Sequence, residues 1–281
     1  MSGTANADQH AAWNGDSGRR WAEDPDRRDH VLASIATALF DNAELARGEA
    51  VLDIGCGCGA TTLAAADAVG TSGTVLGLDL SEPMLDVARG RAQGQDVANV
   101  RFDRADVQTC SLPGSAYDVA ISRFGTMFFA DQVAAFANVA YAVRPRGRLC
   151  LATWQPLAAN EWLTIPGSVL LRYAALPEAI DGPGMFAQSD PAALADVLAS
   201  AGFDHIAVRP ITVPMHLGDS MAEAADYLAS SGPGRALLDA VADDIRPAAI
   251  DAVRSVLTDH VGPDGVRLDA AIWLTTAIRS D

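Results

Sequence analysis

Three glycines at alternate positions follow a short apolar run in Glu49-Ala-Val-Leu-Asp-Ile-Gly-Cys-Gly-Cys-Gly-Ala60. No other stretch of the chain restricts the fold as strongly. Ala50 to Ile54 is long enough for one buried strand, and Ala60 to Val69 is compatible with a helix. Between them Gly55, Gly57 and Gly59 let the backbone turn tightly and let a ligand approach without meeting a Cβ. A helix that starts directly after such a turn offers unpaired N–H groups and a partial positive charge. Strand, glycine turn and helix start together predict a cofactor loop in an α/β sheet.

The residue types around the turn bear on which cofactor. Gly55, Gly57 and Ala60 satisfy the dinucleotide pattern G-x-G-x-x-G/A in its weaker form, so a nicotinamide dinucleotide is one reading. Asp53 argues against it. A carboxylate two residues before the first glycine points into the loop, where it repels a pyrophosphate and suits an amine or another cation. Val51-Leu-Asp-Ile-Gly-Cys-Gly-Cys-Gly59 resembles the first motif of class I S-adenosylmethionine-dependent methyltransferases, and most of all the group that holds the ubiquinone/menaquinone C-methyltransferases and many small-molecule methyltransferases. The donor of that family carries both an ammonium and a sulfonium.

Further segments extend the resemblance over roughly residues 45 to 155. Thr74 to Asp79 reads as a second buried strand ending in an acid, placed to accept from ribose hydroxyls. Ser81 fits the cap of the next helix, and by resemblance Leu80 and Met84 line the adenine face, with a core position as the equal alternative for Met84. Asn99 to Asp103 is a short third strand. After it Asp106 and Val107 match the family's acceptor for the adenine amino group and the neighbouring backbone N–H. Val119 to Ser122 is the fourth strand, with Asp118 as a structural residue at its start. The cofactor set implied by the resemblance is therefore Asp53, Gly55, Cys56, Gly57, Gly59, Asp79, Leu80, Met84, Asp106, Val107, Ser122 and Arg123. Asp131 to Val143 reads as a helix, Arg144 to Gly147 as its stop, and Arg148 to Trp154 as the fifth strand.

The fold class that follows is α/β: a Rossmann-like, seven-stranded, mostly parallel sheet with helices on both faces and its last strand antiparallel. The 281 residues read as one methyltransferase domain. Residues 13–46 form an N-terminal helical cover, 47–154 the cofactor core, and 155–188 and 219–262 helical insertions near the substrate site. Residues 1 to 12 are expected to fray. His30 to Leu45 reads as one amphipathic helix through Val31, Leu32, Ile35, Leu39 and Phe40, stopped by Gly48. Asp190 to Ala201 is a helix with Pro191 in its first turn, and His205 to Val213 and Leu268 to Ile278 are the last two strands. About 50 residues separate those strands, an excursion that reads as cover for the active site or as an oligomer surface.

Five aromatic residues and a methionine supply the candidate substrate pocket: Trp13, Trp21, Phe124, Met127, Trp154 and Trp162. They suit a partly apolar small molecule. No general base is assigned, because none of the five histidines sits in a recognisable motif. A net charge of −16 and a pI near 4.5 weigh against nucleic acid and against an anionic membrane surface. The four cysteines show no disulfide framework and no metal-ligand spacing, so no metal is expected and the chain reads as cytoplasmic. A non-catalytic cofactor-binding module is the remaining alternative, disfavoured by the intact glycines and acids.

Overall fold

The structure is a computed structural model that describes residues 6–174 and 183–281. Helices α1 (Ala7–Asn14), α2 (Asp16–Glu23), α3 (Pro25–Val31) and α4 (Ala33–Ala43) precede β1 (Ala50–Ile54). Then come α5 (Ala60–Val69), β2 (Thr74–Asp79), α6 (Glu82–Gly94), β3 (Val100–Arg104), β4 (Tyr117–Arg123), α7 (Gln132–Ala142) and β5 (Val143–Trp154). The remainder is α8 (Glu161–Leu170), α9 (Pro191–Ser200), β6 (Phe203–Gly218), α10 (Met221–Ser230), α11 (Gly232–Asp239), α12 (Arg246–Val256), β7 (Val261–Gly262) and β8 (Gly265–Arg279).

One sheet runs β3-β2-β1-β4-β5-β8-β6, with the two-residue β7 paired to β8. The first five strands of that order are parallel, and β8 lies antiparallel between β5 and β6. This is the expected Rossmann-like sheet, with β7 added. Strand order reverses between β1 and β4, so the carboxyl ends of β1, β2 and β4 open on one edge at the switch point, where such sheets bind ligands.

Both faces are buried, as a parallel sheet requires. The side-chain period of two sorts the strands between two cores. Val51, Val119, Ile121, Cys150 and Ala152 pack with α4, α5, α8, α10 and α12. Their neighbours Leu52, Ile54, Ala120, Leu149 and Leu151 pack with α7 and α9 on the other face. A smaller cluster of Cys56, Leu85, Ala88, Ala92 and Phe102 fixes α6 under the glycine turn.

The expected elements hold in the core and shift at the margins. Residues 7–14 are helical rather than frayed, because α1 is tied down by hydrogen bonds: Asn14 Nδ2 donates to the Leu80 carbonyl and Glu82 N donates to Asn14 Oδ1. The rest of that expectation, residues 1–5, lies outside the described residues. The single helix expected from His30 is two. Asp24 caps α3, Pro25 starts it, and Leu32 at φ −91° and ψ 8° separates it from α4. Glu44, not Gly48, takes the left-handed position at the end of α4. Part of the 155–188 insertion, residues 175–182, lies outside the described residues. The last two long strands extend beyond their periodic cores to 16 and 15 residues. Pro210 and Pro214 are tolerated because β6 is the sheet edge, where a missing N–H faces no partner strand.

Candidate active site

The glycine turn is built as a cradle. Gly55, Gly57 and Gly59 take φ of +68°, +54° and +85°, a region that L side chains rarely adopt. Their surroundings differ. A Cβ on Gly55 would sit 2.5 Å from the Gly125 Cα, and one on Gly59 would sit 2.9 Å from the Ala88 Cβ, so these two serve close packing. A Cβ on Gly57 would meet nothing nearer than the Met84 sulfur at 3.8 Å. Gly57 therefore faces the open side of the turn, where a ligand approaches.

Asp53 stands at the end of β1 and is fully buried. Its Oδ2 accepts from the hydroxyls of Thr61 and Thr62, both at 2.6 Å, in the first turn of α5. Its Oδ1 is buried and has no hydrogen-bond partner among the described residues. Burial pushes the carboxyl up to about 6, against the pull of the two hydroxyls and the Arg123 charge. A buried acceptor without a donor is costly, and a ligand ammonium would supply both donor and charge.

Asp79, at the end of β2, braces the cradle. Oδ2 accepts from Gly57 N and Oδ1 from Ser81 N, each at 2.8 Å. A carboxylate has about four acceptor sites, so capacity for ribose hydroxyls remains. Burial raises its pKa while the backbone N–H groups of Ser81, Gly57 and Leu80 oppose the rise. Ser81 caps α6 through Met84 N, as expected, and Met84 is buried beneath the turn.

The loop after β3 presents Asp106, whose two oxygens accept from Asn6 Nδ2 at 3.1 and 3.0 Å. Oδ1 also accepts from Gln108 N. Asn6 Oδ1 accepts from Ala130 N, so its carboxamide bridges two loops. Val107 is buried in the core, and its carbonyl accepts from Asn138. Ser122 donates to the Ile54 carbonyl at 2.7 Å and accepts from Gly125 N at 3.2 Å. Both hydroxyl functions thus join the ends of β1 and β4, and Ser122 holds the loop rather than presenting a free group. Cys56 points into the small core beneath the turn, with burial pushing its thiol up. The Cys58 thiol rises to about 11, chiefly through burial. No cluster of metal-ligating side chains exists among the described residues.

The aromatic candidates form two groups. Phe124 leaves β4 at φ +69° and stacks on Trp154 with centroids 4.0 Å apart; Trp154 meets Trp162 at 5.1 Å. A left-handed phenylalanine is strained, and such strain concentrates at functional sites. Trp13 meets Trp21 at 6.2 Å and Phe128 at 5.1 Å, in the N-terminal cover. Met127 departs from expectation: at 1% exposed it packs in the main core behind this wall rather than lining a pocket, because the short 3-10 turn at Thr126–Phe128 rotates it inward.

Arg123 is half-buried and reaches Asp29 of α3 at 3.3 Å. It borders a groove of about 420 Å³ with Asp29, Phe40 and Thr61, beside the Asp53 site. A wider groove of about 590 Å³ lies elsewhere, around His30, His216 and Arg267. His30 and His216 bond each other at 2.9 Å, and His205 bonds Asp204.

Several residues of the site escaped the sequence reading. Thr61 and Thr62 were legible in principle, as hydroxyls in the first turn of the helix that follows the glycines. Gly125 was as well, since it lies two residues past the end of β4; a Cβ there would lie 2.5 Å from the Ile54 carbonyl oxygen. Asn6 was not, because only the tertiary fold brings it to Asp106 and Ala130.

Residues 51–147 match the family model described as a methyltransferase domain. The chain is 31% identical over 238 residues to nocamycin O-methyltransferase of Saccharothrix syringae, covering 80% of this chain and 84% of that protein. It is 29% identical over 191 residues to a demethylmenaquinone methyltransferase of Geobacillus stearothermophilus, covering 61% of this chain and 79% of that one. Among solved structures, a putative methyltransferase of Bacillus halodurans superposes with a TM-score of 0.59 at 16% identity, covering 88% of this chain and 99% of that one.

Proposed function

We propose that this chain, which belongs to the class I S-adenosylmethionine-dependent methyltransferases, methylates an oxygen of a partly apolar small molecule of natural-product or quinone type. The observation that carries the acceptor class is the strained Phe124 stacked on Trp154 where β4 and β5 reach the ligand edge. It offers a flat apolar wall for a ring system. One relative matched over most of its length is an O-methyltransferase, which favours oxygen, and others act on a demethylmenaquinone, which favours a quinone-type ring though not the atom.

The residues fit the cofactor. Asp53 Oδ1 is a buried acceptor awaiting an ammonium, the open side of Gly57 admits a backbone-close ligand, and Asp79 keeps capacity for ribose hydroxyls. Asp106 and Val107 would hold the adenine, with Leu80 and Met84 against its face. The bound cofactor supplies a methyl group already activated by a positive sulfur. The chain's own work is to hold the acceptor in line with that methyl and to exclude water. We read the whole chain as one catalytic domain in which α1–α4, α8 and α10–α12 serve as cover. No helix among the described residues is long and apolar enough to cross a membrane, and a cytoplasmic location fits the acidic composition.

Calorimetric titration with S-adenosylmethionine, S-adenosylhomocysteine and NAD, followed by transfer of isotope-labelled methyl to panels of quinols, phenols and aromatic acids, tests this reading. Micromolar binding of the sulfur ligands and label on an oxygen are expected. NAD binding without response to the sulfur ligands would overturn the cofactor, and label found on nitrogen or carbon alone would overturn the oxygen acceptor.

A further inference from the structure

Asn6 stands where α1 begins but does not cap it. An asparagine in that place ordinarily turns its side-chain oxygen onto the free N–H groups of its own first turn. Asn6 makes no such bond, and its backbone is left-handed, with φ 57° and ψ 26°. The residue is only 8% exposed. Its carboxamide is used at a distance instead. Nδ2 donates to both oxygens of Asp106, and Oδ1 accepts from Ala130 N at 3.0 Å. A cap bond and a relaxed backbone are given up to bridge the loop after β3 and the loop after β4.

That bridge decides how the Asp106 carboxylate points. The loop itself has other anchors: Asn138 Nδ2 donates to the carbonyls of Val107 and Cys110, and Asp131 N donates to Gln108 Oε1. The carboxylate has fewer. Oδ1 accepts from Gln108 N at 2.9 Å and from Asn6, whereas Oδ2 accepts from Asn6 alone among the described residues. Since a carboxylate offers about four acceptor positions, Oδ2 keeps a free one. The donor that holds it is neutral. The charge is therefore not cancelled, and the free position keeps the strength of a charge-assisted acceptor. On the next residue, Val107, 4% exposed, the backbone N–H has no acceptor among the described residues. An unpaired buried N–H is rare and costly. A fixed anionic acceptor next to an unpaired donor is complementary to the amino and ring-nitrogen edge of adenine.

We propose that Asn6 sets the base specificity of the cofactor site: by fixing the Asp106 carboxylate it makes the site accept a 6-amino purine and reject a 6-oxo purine. This rests on the cofactor reading, with Asp106 as the adenine acceptor. A 6-oxo base would bring an oxygen against Oδ2 and a ring N–H against the Val107 N–H, leaving both protein groups unpaired. Asn6 touches no reacting atom and is a positioning residue. The far end of α1 gives the contrast. Asn14 ties the same helix to the Leu80 carbonyl and to Glu82 N without contacting Asp106.

Calorimetry on the full-length protein compares S-adenosylhomocysteine with S-inosylhomocysteine, in which the 6-amino group is replaced by a 6-oxo group. The adenine ligand should bind at least about tenfold more tightly. Asn6→Gly keeps the left-handed backbone accessible and removes the carboxamide. It should weaken the adenine ligand about fivefold or more while leaving the inosine ligand within about twofold, so that the preference collapses. Asn14→Ala should weaken both ligands by the same factor and keep the preference. A preference retained in Asn6→Gly, whether both ligands weaken together or neither does, overturns the proposal and leaves Asn6 as a tie for α1. Tighter binding of S-adenosylhomocysteine by that variant also overturns it, because Asn6 would then compete with the base for Asp106. Asp106→Ala separates the proposal from the reading beneath it. If that variant loses the preference and Asn6→Gly does not, the proposal fails alone. If Asp106→Ala keeps the preference, or the unaltered protein binds no S-adenosylhomocysteine, the cofactor reading fails and the proposal with it.

Discussion

At the residue scale, Asp53 is the most informative side chain. Burial pushes its pKa up to about 6, above the ordinary carboxylate value of 3.8, so between those values the native state holds a proton that the unfolded chain has released. Stability from this group is therefore fully present below about pH 4 and is lost as pH rises through 6, at a cost on the order of 3 kcal/mol. A ligand ammonium needs the ionised form, so the dependence of cofactor affinity runs the other way. Binding of S-adenosylhomocysteine should weaken as pH falls through 6, and Asp53→Asn should flatten that profile and make the free protein more stable at pH 7. Calorimetry and urea unfolding across pH 5 to 8 check both. Asp79→Ala should weaken cofactor binding by about 1.5–3 kcal/mol, since it removes charge-assisted acceptors and also unhooks Gly57 N–H. Unchanged affinity in that variant would remove Asp79 from the ribose site. Gly57→Val should abolish binding, because only at this glycine does the missing Cβ leave room on the open side.

At the scale of elements, the site depends on how closely the ends of β1 and β4 approach. Gly55 and Gly125 touch backbone to backbone, and the Ser122 hydroxyl ties both loops. Gly125→Ala places a Cβ 2.5 Å from the Ile54 oxygen and 2.7 Å from the Gly55 Cα, neither of which can move independently. We expect a loss of about 1–3 kcal/mol in urea unfolding, as for overpacked cores, together with weaker cofactor binding. Gly90→Ala, where a Cβ would meet nothing within 4 Å, is the control and should be neutral or slightly stabilising. The central elements were legible because their signals are local: Thr74–Asp79 is a short apolar run that ends in an acid, and Ala60–Val69 lies between Gly59 and Gly70, which end its pattern on either side. The break between α3 and α4 was not, since Val31 and Leu32 both continue the apolar period and the interruption lies in Leu32's backbone angles. Nor was the helix at 7–14, whose polar sequence has no amphipathic face and whose stability comes from Asn14 and Asn6 bonding distant loops.

For the whole molecule, the ligand edge of the sheet meets the N-terminal helices along a seam, through Asn6 on Asp106 and Asp29 of α3 on Arg123. A ligand that bridges such a seam stabilises the native state by mass action, about 2.7 kcal/mol at one hundred times its Kd. S-adenosylhomocysteine should therefore raise the melting temperature by several degrees, and NAD at the same concentration should not. A rise with NAD alone would contradict the cofactor assignment.

What the amino-acid sequence determined by itself was the cofactor half: a strand, three glycines and an acid on each flanking strand, residues whose spacing along one short stretch already implies their proximity. Parallel strands joined by helices leave few arrangements, so the sheet and its ligand edge followed from the pattern of elements. How distant segments close on that half was decided by tertiary structure. Asn6 and Asp106 come from the start of α1 and the loop after β3, as Asp29 and Arg123 come from α3 and β4, and nothing in their local sequence marks them as neighbours. Met127 shows the converse, an apolar residue whose position beside Phe124 suggested a pocket but whose turn carries it into the core. The difference is physical. A backbone cradle is encoded by conformational freedom at consecutive residues, whereas a side-chain pocket is encoded by packing between elements that are distant along the chain.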